Sequence, residues 1–252
     1  MCTSLRGCAP ITIEGENTNA DSITTIGGSR KSLLRQAECG IFYNMKAVEN
    51  GLYRLEKKDV EKAGRVLLDA FQDDPVWNAV FTGETGGRQI LTAFYETPLR
   101  YCLQHGSVYA SSENLEGVAA WVPGERSEMT FWRMLGSGAL KSGMKMGMKA
   151  AKRMQTVFKP VEQDRKQYMK EAGTAFLYLQ IIGVAASFQG KGFGRKLLNA
   201  VIAESERTGK PIYLETETEQ NVEMYKKYGF RLIQRITLPE INLPMWEMVR
   251  EM

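Results

Sequence analysis

Residues 187–198 read SFQGKGFGRKLL. Glycine stands at 190, 192 and 194, with Lys191 between the first two and Arg195 after the last. An apolar run precedes this stretch and a helix-periodic run follows it. A strand feeding a glycine turn and then a helix makes an anion site. Backbone N–H groups point into the turn, and the helix N-terminus adds about half a positive charge. Spacing separates the owners of such turns. A P-loop requires G-x-x-x-x-G-K-[ST], but Ala185 stands where its first glycine belongs and Gly192 where a magnesium-binding Ser or Thr would be. A dinucleotide fingerprint requires G-x-G-x-x-G. Here Arg195 replaces the third glycine, and the turn lies far from the first strand of the chain. Both readings fail.

Outward from the turn, the pattern is regular. Thr174–Ala185 (TAFLYLQIIGVA) reads as a strand covered on both faces. Leu197, Leu198, Val201 and Ile202 mark the buried side of a helix ending near Gly209. Ile212–Thr216 is a strand, Asn221–Tyr228 a short helix, and Phe230–Ile236 and Leu243–Val249 are strands. Upstream, residues 51–55 read as a short strand, and Val60, Ala63, Leu67, Leu68 and Phe71 share one helical face. Residues 87–105 form a helix kinked at Pro98, and Ser107–Ser112 and Gly117–Val122 form a hairpin. Strands and helices alternate throughout, so the class is α/β (α+β) in one domain.

Two segments differ. Residues 1–44 are rich in Thr, Ser, Asn and Gly and lack periodicity, so they read as a disordered extension before a domain at 45–252, with Met45 a candidate natural start. Residues 127–172 read as a basic helical insertion in which Met129, Met134, Met144, Met146, Met148 and Met154 interleave with Lys141, Lys145, Lys149, Lys152 and Arg153. A partly buried helix with solvated lysines is the plain reading. An adaptable pocket wall and a membrane-surface helix are the others.

Composition excludes several classes. The chain has 252 residues, 43% hydrophobic and 25% charged, with a net charge of +4. That charge suits small anionic ligands and gives no dense basic block for nucleic acid. Cys2, Cys8, Cys39 and Cys102 show no C-x-x-C spacing, so neither a zinc site nor a disulfide framework is expected, and a cytoplasmic setting is the default. His105 is the only histidine, placed in a last helical turn before Gly106, which suits a structural role. No apolar run reaches the roughly 18–20 residues of a membrane span, and the opening residues lack a signal-peptide core.

The spacing that fits the turn is Q-x-x-G-x-G: Gln189, Gly192 and Gly194. Before it stands Ile182-Gly-Val184; beyond it lies Asn221-Val-Glu-Met-Tyr225-Lys-Lys-Tyr-Gly229-Phe230. Together these resemble the acetyl-CoA signatures of the GNAT superfamily of N-acetyltransferases. Ala70-Phe-Gln-Asp-Asp-Pro75 and Gly117-Val-Ala-Ala-Trp-Val-Pro123 also resemble one branch of it, so the resemblance spans about residues 50–250. Ala186, where the family often carries Pro, is a departure.

The resemblance implies a mixed central sheet whose two parallel strands splay apart, flanked by helices. It implies acetyl-CoA as co-substrate, with no metal, and an amine acceptor of unspecified identity. It makes Ile182, Gly183 and Val184 the backbone partners of the pantetheine arm. Gly190, Lys191, Gly192, Phe193, Gly194 and Arg195 would surround the pyrophosphate, beside Gln189. Tyr225 would be the acid that protonates the departing thiolate, with Asn221 on the same helical face binding the cofactor arm. For the base, relatives place Glu where Tyr178 stands here; Glu215 and Glu217, alternating onto one side of their strand, are the remaining candidates. A non-catalytic acyl-CoA-binding module and a membrane-surface interaction protein are the rival readings. A homodimer is left open.

Overall fold

The structure, a computed structural model, describes residues 3–4, 51–83, 87–173 and 175–252. The expected extension at 1–44 therefore lies outside the described residues apart from Thr3 and Ser4, as do Cys2, Cys8, Cys39 and Met45. The strands are β1 (Thr3–Ser4), β2 (Tyr53–Arg54), β3 (Ser107–Ala110), β4 (Gly117–Pro123), β5 (Leu177–Val184), β6 (Ile212–Thr216), β7 (Arg231–Leu238) and β8 (Leu243–Arg250). The helices are α1 (Val60–Ala70), α2 (Pro75–Phe81), α3 (Gly87–His105), α4 (Phe131–Ser137), α5 (Ala139–Met146), α6 (Met148–Ala172), α7 (Phe193–Thr208) and α8 (Glu219–Lys226).

One mixed sheet runs β2-β3-β4-β5-β6-β8-β7. Along that path only β5 and β6 pair in parallel; the other neighbours are antiparallel. Helices cover both faces. Side chains of α1, α3, α5 and α6 share a core with Tyr178, Ile181 and Tyr213 on one face. Leu197, Leu198 and Val201 of α7 and Val222 and Tyr225 of α8 pack with Leu179, Ile182 and Leu214 on the other. This is why every residue of β5 is buried. Gly183 is fixed by α1: a β-carbon there would lie 3.0 Å from Leu67 Cδ2 and 3.0 Å from the β-carbon of Ala70. The absent side chain lets helix and strand close to contact.

The sequence reading followed one helical face as far as Phe71 and missed α2. Asp74 starts it: Oδ1 accepts from Val76 N and Trp77 N at 3.0 Å each, and Pro75 takes the first helical position. That pairing is a strong start signal. The insertion is three helices, parted at the left-handed Gly138 (φ 75°) and at Gly147 (φ 85°). Ser142 ties α5 to α3, donating to Glu96 Oε2 at 3.0 Å; Arg100 bonds the same oxygen at 3.0 Å.

The feature that positions the site is the separation of β5 from β6. They share the rungs Leu177–Ile212 and Tyr178–Tyr213 and no later ones. A register shift on β4 between Ala120 and Trp121 leaves Gln180 of β5 without a rung of its own. Beyond Tyr178, the edge of β5 is met by β1, with Thr3 beside Ile182 and Ser4 beside Gly183.

Candidate active site

The glycine turn follows β5 directly. Gly190 (φ 76°) and Gly192 (φ 85°) are left-handed, a conformation that side chains resist. Gly192 is the N-cap of α7. The first amides of a helix have no acceptor within it, so those of Gly192, Phe193, Gly194 and Arg195 face the turn. The Arg195 guanidinium reaches to 3.6 Å from where a Gly192 β-carbon would be. Amides, dipole and guanidinium together fit a diphosphate. Gln189 braces the turn instead, its Nε2 donating to the Val184 carbonyl at 3.0 Å. Lys191 lies over the Phe188 ring, 5.2 Å from its centre. Lys196, which the sequence did not single out, anchors the helix: Nζ donates to Gly51 O at 2.6 Å and Ser111 O at 2.7 Å.

On the α7–α8 face, Thr218 caps α8 by accepting from Asn221 N at 3.2 Å. Asn221 Nδ2 donates to Thr216 Oγ1 at 3.0 Å, and Asn221 is buried. Tyr225 lies one turn later, fully buried and edge-on to Phe230 with ring centres 5.3 Å apart. The left-handed Gly229 (φ 84°) lets the chain turn from α8 into β7 behind it.

The opposite face carries a buried acidic cluster. Arg165 of α6 donates through Nη1 to Glu215 Oε1 at 2.5 Å and to the Tyr178 hydroxyl at 3.1 Å. Tyr178 in turn donates to Glu215 Oε2 at 2.7 Å. Burial alone would raise the Glu215 pKa. Positive charge, Arg165 included, and the Tyr178 hydroxyl outweigh it and hold the carboxyl below its ordinary value. The expected base is therefore a stable carboxylate in an ion pair, which makes it a weak proton acceptor. Glu217, also buried, lies one residue beyond the end of β6.

Glu247 sits beside this pair, on β8, in register with Glu215. Its Oε2 accepts from the Tyr213 hydroxyl at 2.8 Å; its Oε1 is buried and has no hydrogen bond. Burial, with Glu215 and Asp164 adding to it against Tyr213 and Arg165, pushes its pKa up to about 7. The sequence reading passed it over. One signal was available: Met245, Glu247 and Val249 alternate onto one face of β8, so Glu247 holds a position its neighbours give to core residues.

The rest of the insertion meets the expectation unevenly. Met146 is buried, whereas Met144 and Met148 are exposed. At the acidic cluster α6 contributes Arg165. His105 packs at a tilt against Tyr101, with ring centres 4.6 Å apart. Cys102 is buried, and burial pushes its thiol pKa up.

Comparison with known proteins meets this geometry. A profile of the acetyltransferase (GNAT) domain matches residues 161–232, from the helix of Arg165 past Tyr225. Uncharacterized N-acetyltransferase C550.08 of Schizosaccharomyces pombe is 32% identical over 204 residues, covering 79% of this chain and 82% of that one. The chain belongs to the GNAT superfamily of N-acetyltransferases. Solved structures share its fold. A histone acetyltransferase HPA2 and related acetyltransferase from Corynebacterium glutamicum aligns with TM-score 0.54 at 20% identity, over 79% of this chain and 94% of its own. An agmatine N-acetyltransferase aligns with TM-score 0.55 at 11% identity, over 79% and 97%. A polyamine N-acetyltransferase of Drosophila melanogaster aligns with TM-score 0.53 at 12% identity, over 80% and 99%. This GNAT protein is thus an acetyl-CoA-dependent N-acetyltransferase with the splayed mixed sheet of its superfamily. Among the described residues no helix is long and apolar enough to cross a membrane. None of their His, Cys, Asp and Glu side chains form a group of three or more able to hold a metal ion.

Proposed function

We propose that this enzyme acetylates a primary amine of a small molecule or peptide by direct attack, with Glu247 taking the amine proton and Tyr225 protonating the departing thiolate. The observation that carries this reading is the division of labour across the sheet. Tyr225 lies on the α7–α8 face and the carboxylates on the α6 face, with the β5–β6 opening between them. The amides at Gly190–Arg195 and the Arg195 guanidinium hold the diphosphate of acetyl-CoA. The β5 edge at Ile182–Val184, which β6 leaves and which Thr3 and Ser4 line in part, receives its pantetheine arm. Asn221 steadies that arm from α8.

The proton ledger closes. An amine with an intrinsic pKa of about 10.4 must be neutral to attack, so an acceptor near neutrality is needed. Glu247, at about 7 with one oxygen unbonded, has that acidity, whereas Glu215 is held by Arg165. A cationic amine first gives one proton to solvent; as the neutral nitrogen bonds to the acetyl carbon, Glu247 takes its second proton, the carbon–sulfur bond breaks, and the sulfur takes the Tyr225 proton. A phenol of pKa about 10 can serve a thiolate of pKa about 8.5 because the transfer is nearly balanced. The products are an amide and free CoA; a protonated Glu247 and a phenolate remain to be reset by solvent. The acidic face (Asp164, Glu215 and Glu247 against Arg165) favours an acceptor that reaches the enzyme as a cation.

The test is release of the CoA thiol over a panel of amines that includes agmatine, polyamines, amino acids and peptide N-termini. Turnover with a cationic amine, reduced at least tenfold by Tyr225→Phe with acetyl-CoA binding retained, supports the reading. An unchanged kcat in that variant removes Tyr225 from the acid role.

A further inference from the structure

We propose that helices α4–α6 seat this enzyme on the surface of an anionic lipid bilayer. Eight large hydrophobic side chains are exposed among the described residues, and five of them lie here: Phe131 (56%), Trp132 (78%), Leu135 (52%), Met144 (73%) and Met148 (90%). Phe131, Trp132 and Leu135 are neighbours on α4 by their three- and four-residue spacing. Met144 lies in the last turn of α5, and Met148 opens α6 across the Gly147 corner. The inward faces of these helices are already satisfied: Ala139, Ser142, Met146 and Ala150 pack into the core around α3. Each outward apolar side chain leaves half or more of its surface exposed, with Phe131 and Trp132 edge to face and ring centres 5.3 Å apart.

Charge identifies the occupant. Residues 131–161 contain Arg133, Lys141, Lys145, Lys149, Lys152, Arg153 and Lys159, and no Asp or Glu. The whole chain carries only +4, so everything outside this segment is net negative. Such a molecule turns one face toward a negative surface and the remainder away from it. Arg153 is engaged at home, bonding the carbonyls of Ala79 and Thr82 at 3.0 Å each, while Lys141, Lys145 and Lys152 are exposed. Lysines around exposed Trp, Phe, Leu and Met match the headgroup and acyl boundary of a bilayer, where the stems stay apolar and the ammonium groups reach the phosphates. A nucleic acid would answer the lysines but leave Met144 and Met148 in water.

The test is co-sedimentation of the full chain with phosphatidylcholine vesicles, with and without phosphatidylserine, read alongside tryptophan fluorescence. Trp77, Trp121 and Trp246 are buried, so Trp132 dominates any change in emission. The expected result is sedimentation with the phosphatidylserine vesicles and a blue shift. Reversal of Lys141 or Lys145 to Glu lowers the partition coefficient by at least about fivefold per site, the loss expected of each cation near such a surface. Trp132→Ala, at an exposed site, weakens partition with no change in thermal stability. Absence of sedimentation with those vesicles overturns the proposal, as does partition indifferent to all three variants. RNA binding that the lysine variants abolish and Trp132→Ala leaves intact, without lipid binding, assigns the face to a polyanion instead. Lipid-free self-association relieved by Trp132→Ala, again without lipid binding, assigns it to a second copy.

Discussion

Glu215 and Glu247 stand opposite each other across the β6–β8 ladder, and the Arg165 guanidinium bonds Glu215. Two adjacent buried carboxylates resist joint ionisation. The pair therefore splits into a fixed anion held low and a neighbour pushed up to about 7.

Activity should report that second group. In the wild type, kcat/KM rises with pH through an inflection near 7, where Glu247 loses its proton. Glu247→Gln removes this limb and lowers kcat by about 10²–10⁴, the usual worth of a general base. The acceptor amine titrates well above this inflection, so the two are separable. A variant that keeps the inflection and the rate shows that the base lies elsewhere.

Stability should move the other way with pH. Glu247 is raised from an ordinary 4.5 to about 7 in the folded chain. Between those values the native state holds a proton that the unfolded state has released, so stability declines as pH rises through that window. Urea unfolding at pH 8 should find Glu247→Gln more stable than wild type by on the order of 1–3 kcal/mol, with the two equal near pH 4.5. Equal stability at both pH values would mean that Glu247 is not strained by ionisation.

Removing the cation alone should be costly. Arg165→Met leaves the fully buried Glu215 without its countercharge, a loss of about 3–5 kcal/mol. The double variant Arg165→Met with Glu215→Gln should regain most of that. Additive losses in the double-mutant cycle would show that the two residues do not act as a pair.

Gly192→Ala separates turn geometry from charge. Its φ of 85° makes a side chain strained by about 1–2 kcal/mol. A relaxed turn would swing the α7 amides off the diphosphate. The KM for acetyl-CoA should rise several-fold while the amine KM holds. Arg195→Gln should raise the same KM without loss of stability.

The turn, the strand before it and the Asn221–Tyr225 helix were legible because each is local. Gln189, Gly192 and Gly194 announce themselves within six residues, and Tyr225 lies a fixed four residues from Gly229. The continuous apolar run of β5 and the hairpin of β3 and β4 were legible for the same reason. What failed to show was set by register and packing. Arg165 stands among other charged residues of α6 and reads as one more solvated cation, yet it is 8% exposed because α6 lies over β6. Glu247 becomes a candidate base only once β8 is laid beside β6 in one particular alignment. Glu215 was picked out for alternation with Glu217, which lies one residue beyond β6; the partner of Glu215 is on a helix fifty residues away in sequence. Asp74 was visible as an acidic residue before proline, a helix start that the end of α1 obscured.

The opening between β5 and β6 has a thermodynamic consequence. A sheet that parts in its middle carries unfilled hydrogen-bonding edges inside the molecule, where most folds have none. Whatever lies along them behaves as a missing strand and enters the folding equilibrium by mass action. Ligand at a hundredfold its Kd contributes about 2.7 kcal/mol. Thr3 and Ser4 occupy the Ile182–Gly183 portion of that edge, the portion proposed above for the cofactor arm. Melting temperature and acetyl-CoA concentration are thereby coupled, and on that proposal Thr3 and Ser4 compete with the cofactor for one strand edge.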